Sequence, residues 1–331
     1  MINAAVVGLG WWGRKLADVG RDSEHVRVTR GVTRRPHAVA DYAAGCGFPI
    51  TADYQDALDD PDIDAVVLAT PNGQHEEQVA RAAEAGKHVF CEKPIALTKQ
   101  GVVDAVERCR AKGLVLAIGH ERRLEPPMAE MLEMARGGEL GTILQIEANF
   151  SHDKLIDLPH VNWRLSPKHA PAAGMTATGI HMFDLATAIL GEAREAWASC
   201  ETLASDAPNG DSACALVKYA NGATAFVSAM MATPFISRFG VYGRKGWIEI
   251  RDKAHIESPQ GWIVTKCMAG GDAETTEVAP TDPVRDHMEA FARAVEGTAP
   301  YPITPEEMIA NAAVMEAVFE SARTGALVPV P

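Results

Sequence analysis

The chain opens on the apolar run Ala4-Ala5-Val6-Val7, which leads straight into Gly8-Leu9-Gly10-Trp11-Trp12-Gly13. An apolar strand ending in G-x-G-x-x-G constrains a fold more than any other feature of this sequence. Gly8 allows the tight strand-to-helix turn, Gly10 lets a ligand approach the backbone, and Gly13 lets the helix pack closely on the sheet. The helix that follows presents unpaired N–H groups and a partial positive charge at its start, the arrangement that receives a pyrophosphate. A lone glycine motif is weak evidence. Here it follows an apolar strand, precedes a helical pattern and begins a βαβ series, which is the context dinucleotide binding requires.

The first third of the chain continues in that grammar. Apolar runs at 26–33, 64–70, 87–93 and 114–120 read as further buried strands. Helical patterns fill the intervals, with Val79, Ala82 and Ala83 on one face of 74–85 and Val102, Val106 and Cys109 on one face of 98–112. Thr98 is placed to cap the second of these. Alternating strand and helix predicts a doubly wound parallel sheet. Beyond residue 120 the pattern changes. The run 143–150 alternates apolar and polar residues, and 214–231 is two period-two runs joined by Asn221-Gly222, a hairpin signature. More strands follow Ser237, and Thr304, Pro305 and Glu307 read as cap, first residue and capping-box partner of a carboxyl-terminal helix. The expectation is a Rossmann domain over 1–120 and an α+β domain with a large, mainly antiparallel sheet over 121–331.

Candidate chemistry sits at strand ends. After the second strand, where NAD-binding chains carry an acid about 20 residues beyond the glycines, this chain has Thr33-Arg34-Arg35. Guanidinium groups form forked bonds to phosphate oxygens, so NADP is preferred over NAD; two solvated surface arginines are the plainer reading. Thr70-Pro71-Asn72, with His75 a turn on, follows the next strand and either meets the cofactor or caps the following helix. Cys91-Glu92-Lys93-Pro94 ends another. A lysine there, tuned by desolvation to a pKa of about 7–8, can pass the proton that accompanies hydride transfer, with Glu92 orienting it or modulating its charge. In isolation E-K-P is just a charged turn. In the second domain His181 and Asp184 fall at i and i+3 on one helix face, with His181 in the first turn, where the helix field favours a neutral imidazole. The alternative is a core histidine paired with Asp184. His152, Asp153, His160, Trp163 and His169 form a titratable stretch that either lines a pocket or is a solvated loop.

Composition narrows the class. At 331 residues there is length for two cores, and 47% hydrophobic with 23% charged residues excludes wholesale disorder. A net charge of −13 argues against a nucleic-acid partner. The six cysteines include no C-x-x-C pair, so no zinc knuckle or other metal site is expected, and they read as small core residues of a reducing compartment. With no basic leader and no membrane-length apolar run, a cytoplasmic protein without a membrane partner is expected.

Together these segments resemble the glucose–fructose oxidoreductase / inositol dehydrogenase / MocA family. The resemblance rests on the glycine loop at 8–13, TPN-x-x-H at 70–75, AGKHVFCEKPIALT at 85–98, GHERR at 119–123, NWR at 162–164 and AGMTATGIHMFD at 173–184. The last block is the G-x-H-x-x-D motif, and A-G-K-H-V-x-x-E-K-P is highly specific. The resemblance implies NAD(P)-dependent oxidation or reduction of a sugar, inositol or related polyol, and a homodimer or homotetramer assembled through the open sheet. It implies that Lys93 contacts substrate and nicotinamide, that His181 is the acid/base, and that Arg123, Trp163 and Arg164 border substrate or cofactor, with Asp184 beside them.

One departure stands out. Many catalytic members carry an aspartate two residues before the motif glycine, where this chain has Ala177. Either Lys93 and His181 suffice, or Thr178 or Asp184 compensates, or activity is lost. Two alternatives therefore stay open, an NAD-dependent glycosidase of the same fold and a dinucleotide-binding sensor without turnover.

Overall fold

The structure is a computed structural model that describes residues 1–21 and 23–331. By its internal packing the chain divides into two units, 1–121 with 283–305, and 122–282 with 306–331. In the first unit six strands, β1 (Ile2–Val7), β2 (Val26–Val32), β3 (Ile50–Thr51), β4 (Ala65–Leu68), β5 (His88–Cys91) and β6 (Leu116–Ile118), form one sheet in the order β3-β2-β1-β4-β5-β6. Every pairing in it is parallel. The order reverses between β1 and β4, and the crevice beyond the carboxyl ends of strands at such a reversal is where open α/β sheets take ligands. β4 is buried at every position, as a strand covered on both faces should be. Helices α1 (Trp11–Val19), α2 (Ala40–Cys46), α3 (Gln55–Leu58), α4 (His75–Glu84) and α5 (Lys99–Ala111) make the crossovers. Thr98 caps α5 as its sequence position predicts, its Oγ1 accepting from Gly101 N at 3.1 Å. β3 has only two residues and gives no sequence signal of its own.

The second unit is built on nine strands: β7 (Ile143–Ser151), β8 (Ala193–Glu201), β9 (Ser212–Tyr219), β10 (Thr224–Met230), β11 (Ile236–Gly243), β12 (Gly246–Asp252), β13 (Trp262–Met268), β14 (Glu274–Val278) and β15 (Val328–Pro329). Their order is β14-β13-β12-β11-β7-β10-β9-β8-β15. The hairpin expected at Asn221-Gly222 is β9–β10. One pairing is parallel, β10 against β7, so the sheet is mixed at its centre and antiparallel elsewhere. Its inner face carries small residues, among them Ala148, Ala198, Ala215, Ala225 and Ala229. That lets α7 (Ile180–Leu190) lie close against it, while α6 (Pro126–Arg136) packs into the same core.

The chain does not stay in the second unit to its end. Helix α8 (Pro283–Val295) joins the first unit, where Val284, Met288, Phe291 and Ala292 enter the core with Leu16, Val26 and Phe90. The division at residue 120 places this segment in the second domain. Its local sequence is an ordinary amphipathic helix, and only its packing assigns it. Helix α9 (Pro305–Thr324) returns to the second unit, contributing Val314, Met315, Ala317 and Val318 to the sheet's core.

Candidate functional site

The glycine loop joins β1 to α1 at the sheet's reversal point. Gly8 has φ +97°, and a Cβ there would come within 2.6 Å of Ala69 O. A Cβ on Gly13 would come within 1.9 Å of Gly8 O, so both positions require glycine, whereas Gly10 has open space on its Cβ side. Helix α1 starts at Gly10 with no side-chain cap and no acid in its first turn. An uncapped, acid-free helix start beside an open glycine fits a dinucleotide pyrophosphate. Trp11 is exposed, and its ring meets that of Trp12 edge-on at 5.4 Å. Trp12 turns inward instead. Its Nε1 donates to Glu92 Oε1 at 2.6 Å, so the sequence-assigned cofactor contact spends its polar atom on the E-K-P segment.

Thr70, Pro71 and Asn72 follow β4, with Thr70 Oγ1 bonded to Gln78 and Asn72 buried. His75 corrects an expectation. Its ring is fully buried, with Nδ1 2.8 Å from Pro94 O and Nε2 2.9 Å from Thr70 O. Both nitrogens face protein carbonyls and burial lowers the imidazole's pKa. A neutral ring has one N–H and so donates to one of the two carbonyls; His75 is packed between two loops, not placed as a cofactor ligand.

Glu92 and Lys93 lie just past β5, and the Lys93–Pro94 peptide is cis. Burial, reinforced by the charge of nearby Glu121 and opposed by Lys93, raises the Glu92 carboxyl from 4.5 to about 8. Between those two values the unfolded chain holds fewer protons than the folded one, so stability falls as pH rises. Urea midpoints of wild type relative to Glu92→Gln should therefore decline across that range; parallel curves would refute the assignment. At the carboxyl end of β2, Thr33 is half-buried and its N–H donates to Thr51 O, while Arg34 and Arg35 are exposed.

In the second unit a π-helical turn, Met175–Gly179, runs directly into α7. Gly174 permits it, because a Cβ there would come within 2.2 Å of Ala229 O on β10. The sequence places His181 in the first turn of its helix. Instead Gly179 is itself helical and Ile180 N donates back to Met175 O, so the open-terminus field invoked for His181 does not act there. π turns recur at functional sites. Ala177 lies within this turn, four residues before His181 and so one turn away along the same face.

The groups proposed to replace the missing aspartate are committed elsewhere. Thr178 Oγ1 lies 2.6 Å from Phe150 O and 3.1 Å from Gly174 O, two acceptors for its one proton. Asp184 receives Arg123 Nε at 2.6 Å and Nη2 at 2.9 Å, and Arg123 Nη1 reaches Glu307 at 3.1 Å. This corrects two expectations. Arg123 and Asp184 are a buried ion pair rather than substrate contacts, and Glu307 serves Arg123 and Arg136 in addition to any capping. Burial disfavours the Arg123 charge, but Asp184 and Glu307 outweigh it and raise its pKa. Arg123→Met strands a buried carboxylate and should cost about 3–5 kcal/mol, read from the urea midpoint; a loss below about 1 kcal/mol would mean the pair is solvated.

His181 faces an aromatic cluster that the sequence does not announce. The Phe150 ring lies 6.3 Å from His181, 6.2 Å from His152 and 5.7 Å from His255. Phe235 and His255 pack edge-on at 5.8 Å. The neighbouring arginine of the GHERR motif is the one that reaches the cluster, with the Arg122 guanidinium 5.1 Å over Phe150 and held by Asp252 at 2.6 Å. Of the titratable stretch, His152 joins the cluster, Asp153 is exposed, and His160 pairs outside with Asp206 at 2.9 Å. The Arg164 guanidinium stacks 4.3 Å over Trp163. Among the described residues no cluster of three or more His, Cys, Asp or Glu is arranged to hold a metal ion, and no helix is long and apolar enough to cross a membrane.

Comparison with known proteins sets these features in a family. Residues 2–120 match the model described as oxidoreductase family, NAD-binding Rossmann fold, and residues 128–249 match the GFO/IDH/MocA C-terminal domain. The chain belongs to the GFO/IDH/MocA oxidoreductase family. Among the relatives of this GFO/IDH/MocA protein, D-xylose 1-dehydrogenase (NADP(+)) 2 of Haloferax volcanii is 30% identical over 89% of this chain and 88% of its own. The 1,5-anhydro-D-fructose reductase of Ensifer adhaerens is 28% identical over 85% and 84%. Aldose-aldose oxidoreductase from Caulobacter crescentus superposes with a TM-score of 0.87 at 25% identity, covering 99% of both chains. This GFO/IDH/MocA chain is accordingly an NAD(P)-dependent oxidoreductase acting on CH–OH groups, with the family's Rossmann domain and mixed-sheet domain. When bound, the dinucleotide supplies the hydride acceptor or donor, and the residues left to the protein are those that hold it and manage the proton. Sequence reasoning missed Arg122, Phe150, Phe235 and His255 because they come from separate segments that meet only in the folded unit. Trp12–Glu92 was equally invisible, since both residues lie in motifs that explain themselves separately.

Proposed function

We propose that this enzyme reversibly oxidises a secondary hydroxyl of a sugar or related polyol, with NADP as preferred cofactor and Lys93 and His181 handling the proton. The observation that carries the reading is the uncapped, acid-free start of α1 at the sheet's reversal point, with Lys93 just past β5 of the same sheet. Oxidation of a carbinol releases a hydride and a proton. The nicotinamide takes the hydride, and an amine and an imidazole are the groups suited to the proton near neutrality. The names of the relatives, a xylose dehydrogenase, an anhydrofructose reductase and an aldose oxidoreductase, support a sugar-like substrate. The aromatic faces and ring nitrogens around Phe150 suit a molecule with apolar ring faces and hydroxyl edges. Exposed Arg34 and Arg35, with no acid beside them after β2, support NADP.

The test is to follow reduced-nicotinamide absorbance with a panel of aldoses, anhydrosugars and inositols, using NADP and NAD in turn. No turnover with any sugar or polyol, despite tight dinucleotide binding and intact folding, would sink the enzyme reading. That outcome would favour a dinucleotide-binding sensor, which Ala177 and the committed Thr178 and Asp184 support. Net hydrolysis of a glycoside without accumulation of reduced cofactor would instead mark the glycosidase. We further propose a homo-oligomer assembled through the outer sheet face. There Trp197, Leu216 and Phe226 stand in one cross-strand row, each about 40% exposed.

A further inference from the structure

We propose that Trp12 and Glu92 are positioning residues whose hydrogen bond makes dinucleotide binding and the placing of Lys93 one coupled event. This rests on the reading that the glycine loop holds NADP(H) and that Lys93 serves the reaction.

Trp12 is the second residue of α1, inside the loop shaped for the pyrophosphate, and Glu92 immediately precedes Lys93. The indole Nε1 and Glu92 Oε1 are 2.6 Å apart across 80 residues of chain. Glu92 is only 7% exposed, and its carboxyl is seated on the backbone just past β6. A Cβ on Gly119 would come within 2.6 Å of Oε1 and 2.8 Å of Oε2. Position 119 is therefore empty so that the carboxyl can lie there. A buried carboxyl is a costly way to tie two loops when an amide would accept the same bond. Its neighbourhood gives a reason for an acid. Glu121 and Lys93 are the charged groups that bear on it, and the Cys91 thiol, itself raised by burial, lies beside it. Burial and Glu121 favour a proton on Glu92 while Lys93 opposes it, so an ionised Glu92 and a charged Lys93 favour each other.

The segment is gripped at two points. Pro94 O and Thr70 O both lie against the buried His75 ring, whose one N–H serves one of them, and neither belongs to the glycine loop. Glu92 is held by Trp12, which does. A shift of the α1 start when the pyrophosphate arrives is thus passed to Glu92 through the indole, while the far side of the turn stays anchored. The bond transmits a displacement because Glu92 is buried and the half-buried Trp12 spends its one N–H on it.

NADPH binding to the full-length protein, measured by titration calorimetry, tests the coupling directly. Trp12→Phe and Glu92→Ala should each weaken binding by about tenfold, and the double variant should be no weaker than the weaker single. Glu92→Gln keeps the acceptor and should bind NADPH within about twofold of wild type, yet its pH–rate profile should lose the limb that Glu92 sets. Additive losses in the double variant overturn the proposal, as does Glu92→Gln falling as far as Glu92→Ala or Glu92→Ala binding like wild type. Should Trp12→Phe fail to fold, the Glu92→Ala and Glu92→Gln pair decides alone, and Gly119→Ala, which displaces the carboxyl, should match Glu92→Ala. Failure of the underlying reading looks different. Wild type that binds no nicotinamide dinucleotide removes the glycine-loop assignment, and undiminished turnover in Lys93→Met removes only the proton role while leaving the calorimetric coupling intact.

Discussion

Lys93→Met is expected to lower turnover by about 10²–10⁴-fold while the protein folds and its urea midpoint stays close to wild type. Methionine matches the lysine stem in length and apolar character but carries neither charge nor proton. The loss should appear mainly in kcat, because the group is required when the carbinol proton moves, with a smaller change in KM for the sugar. The pH–rate profile should flatten on the limb that reports the lysine. The neighbouring positions make this a clean substitution, because Glu92 is fixed by Trp12 and Pro94 O by His75; the turn keeps its shape without the amine. Turnover within about twofold of wild type would remove Lys93 from the chemistry and leave His181 to account for it alone.

Replacing Arg34 and Arg35 together by serine is expected to weaken NADP binding by about 10²-fold and to leave NAD binding nearly unchanged. Each charge-assisted bond to a phosphate oxygen contributes about 1.5–3 kcal/mol, and part of that is lost here because both side chains are exposed. The selectivity ratio is the quantity to measure, since any general damage to the first unit would weaken both cofactors alike. The β2 end supplies no carboxylate to hold a ribose 2′-hydroxyl, so the double variant should become unselective rather than NAD-specific. Raising the salt concentration should weaken NADP binding in wild type more than in the variant. An unchanged ratio would return both arginines to the status of solvated surface residues.

The legible parts of this protein are those where a local signal suffices. β1 with its glycine loop, β4 and β5 with their buried runs, α5 with its Thr98 cap and the β9–β10 hairpin at Asn221-Gly222 follow from periodicity and turn chemistry within a dozen or so residues. What stayed hidden depends on partners far along the chain. The Arg123–Asp184–Glu307 network joins three separate segments, and GHERR gives no hint that Arg122 rather than Arg123 would stack on Phe150. The π turn before α7 depends on Gly174 fitting against Ala229, a contact set by the sheet and not by the helix's own residues. His75 shows the same limit in reverse. Its motif position is right for a ligand contact, but only burial and the two carbonyls facing it show that the ring is already engaged.

The return of α8 to the first unit has a consequence for how the polypeptide is made. The parallel sheet is complete in sequence by β6, yet the helix that closes its core over Val26 and Phe90 begins only at Pro283. A nascent chain halted after residue 121 lacks Met288 and Phe291, and so presents an uncovered apolar surface. On the ribosome the amino-terminal unit must therefore wait for nearly the whole message to be read. In genetic terms the two units are interleaved, because the mixed-sheet unit resumes at 306–331 after the second piece of its neighbour. A fragment intended to isolate the nucleotide-binding half should be spliced from 1–121 and 283–305, not cut at the first boundary.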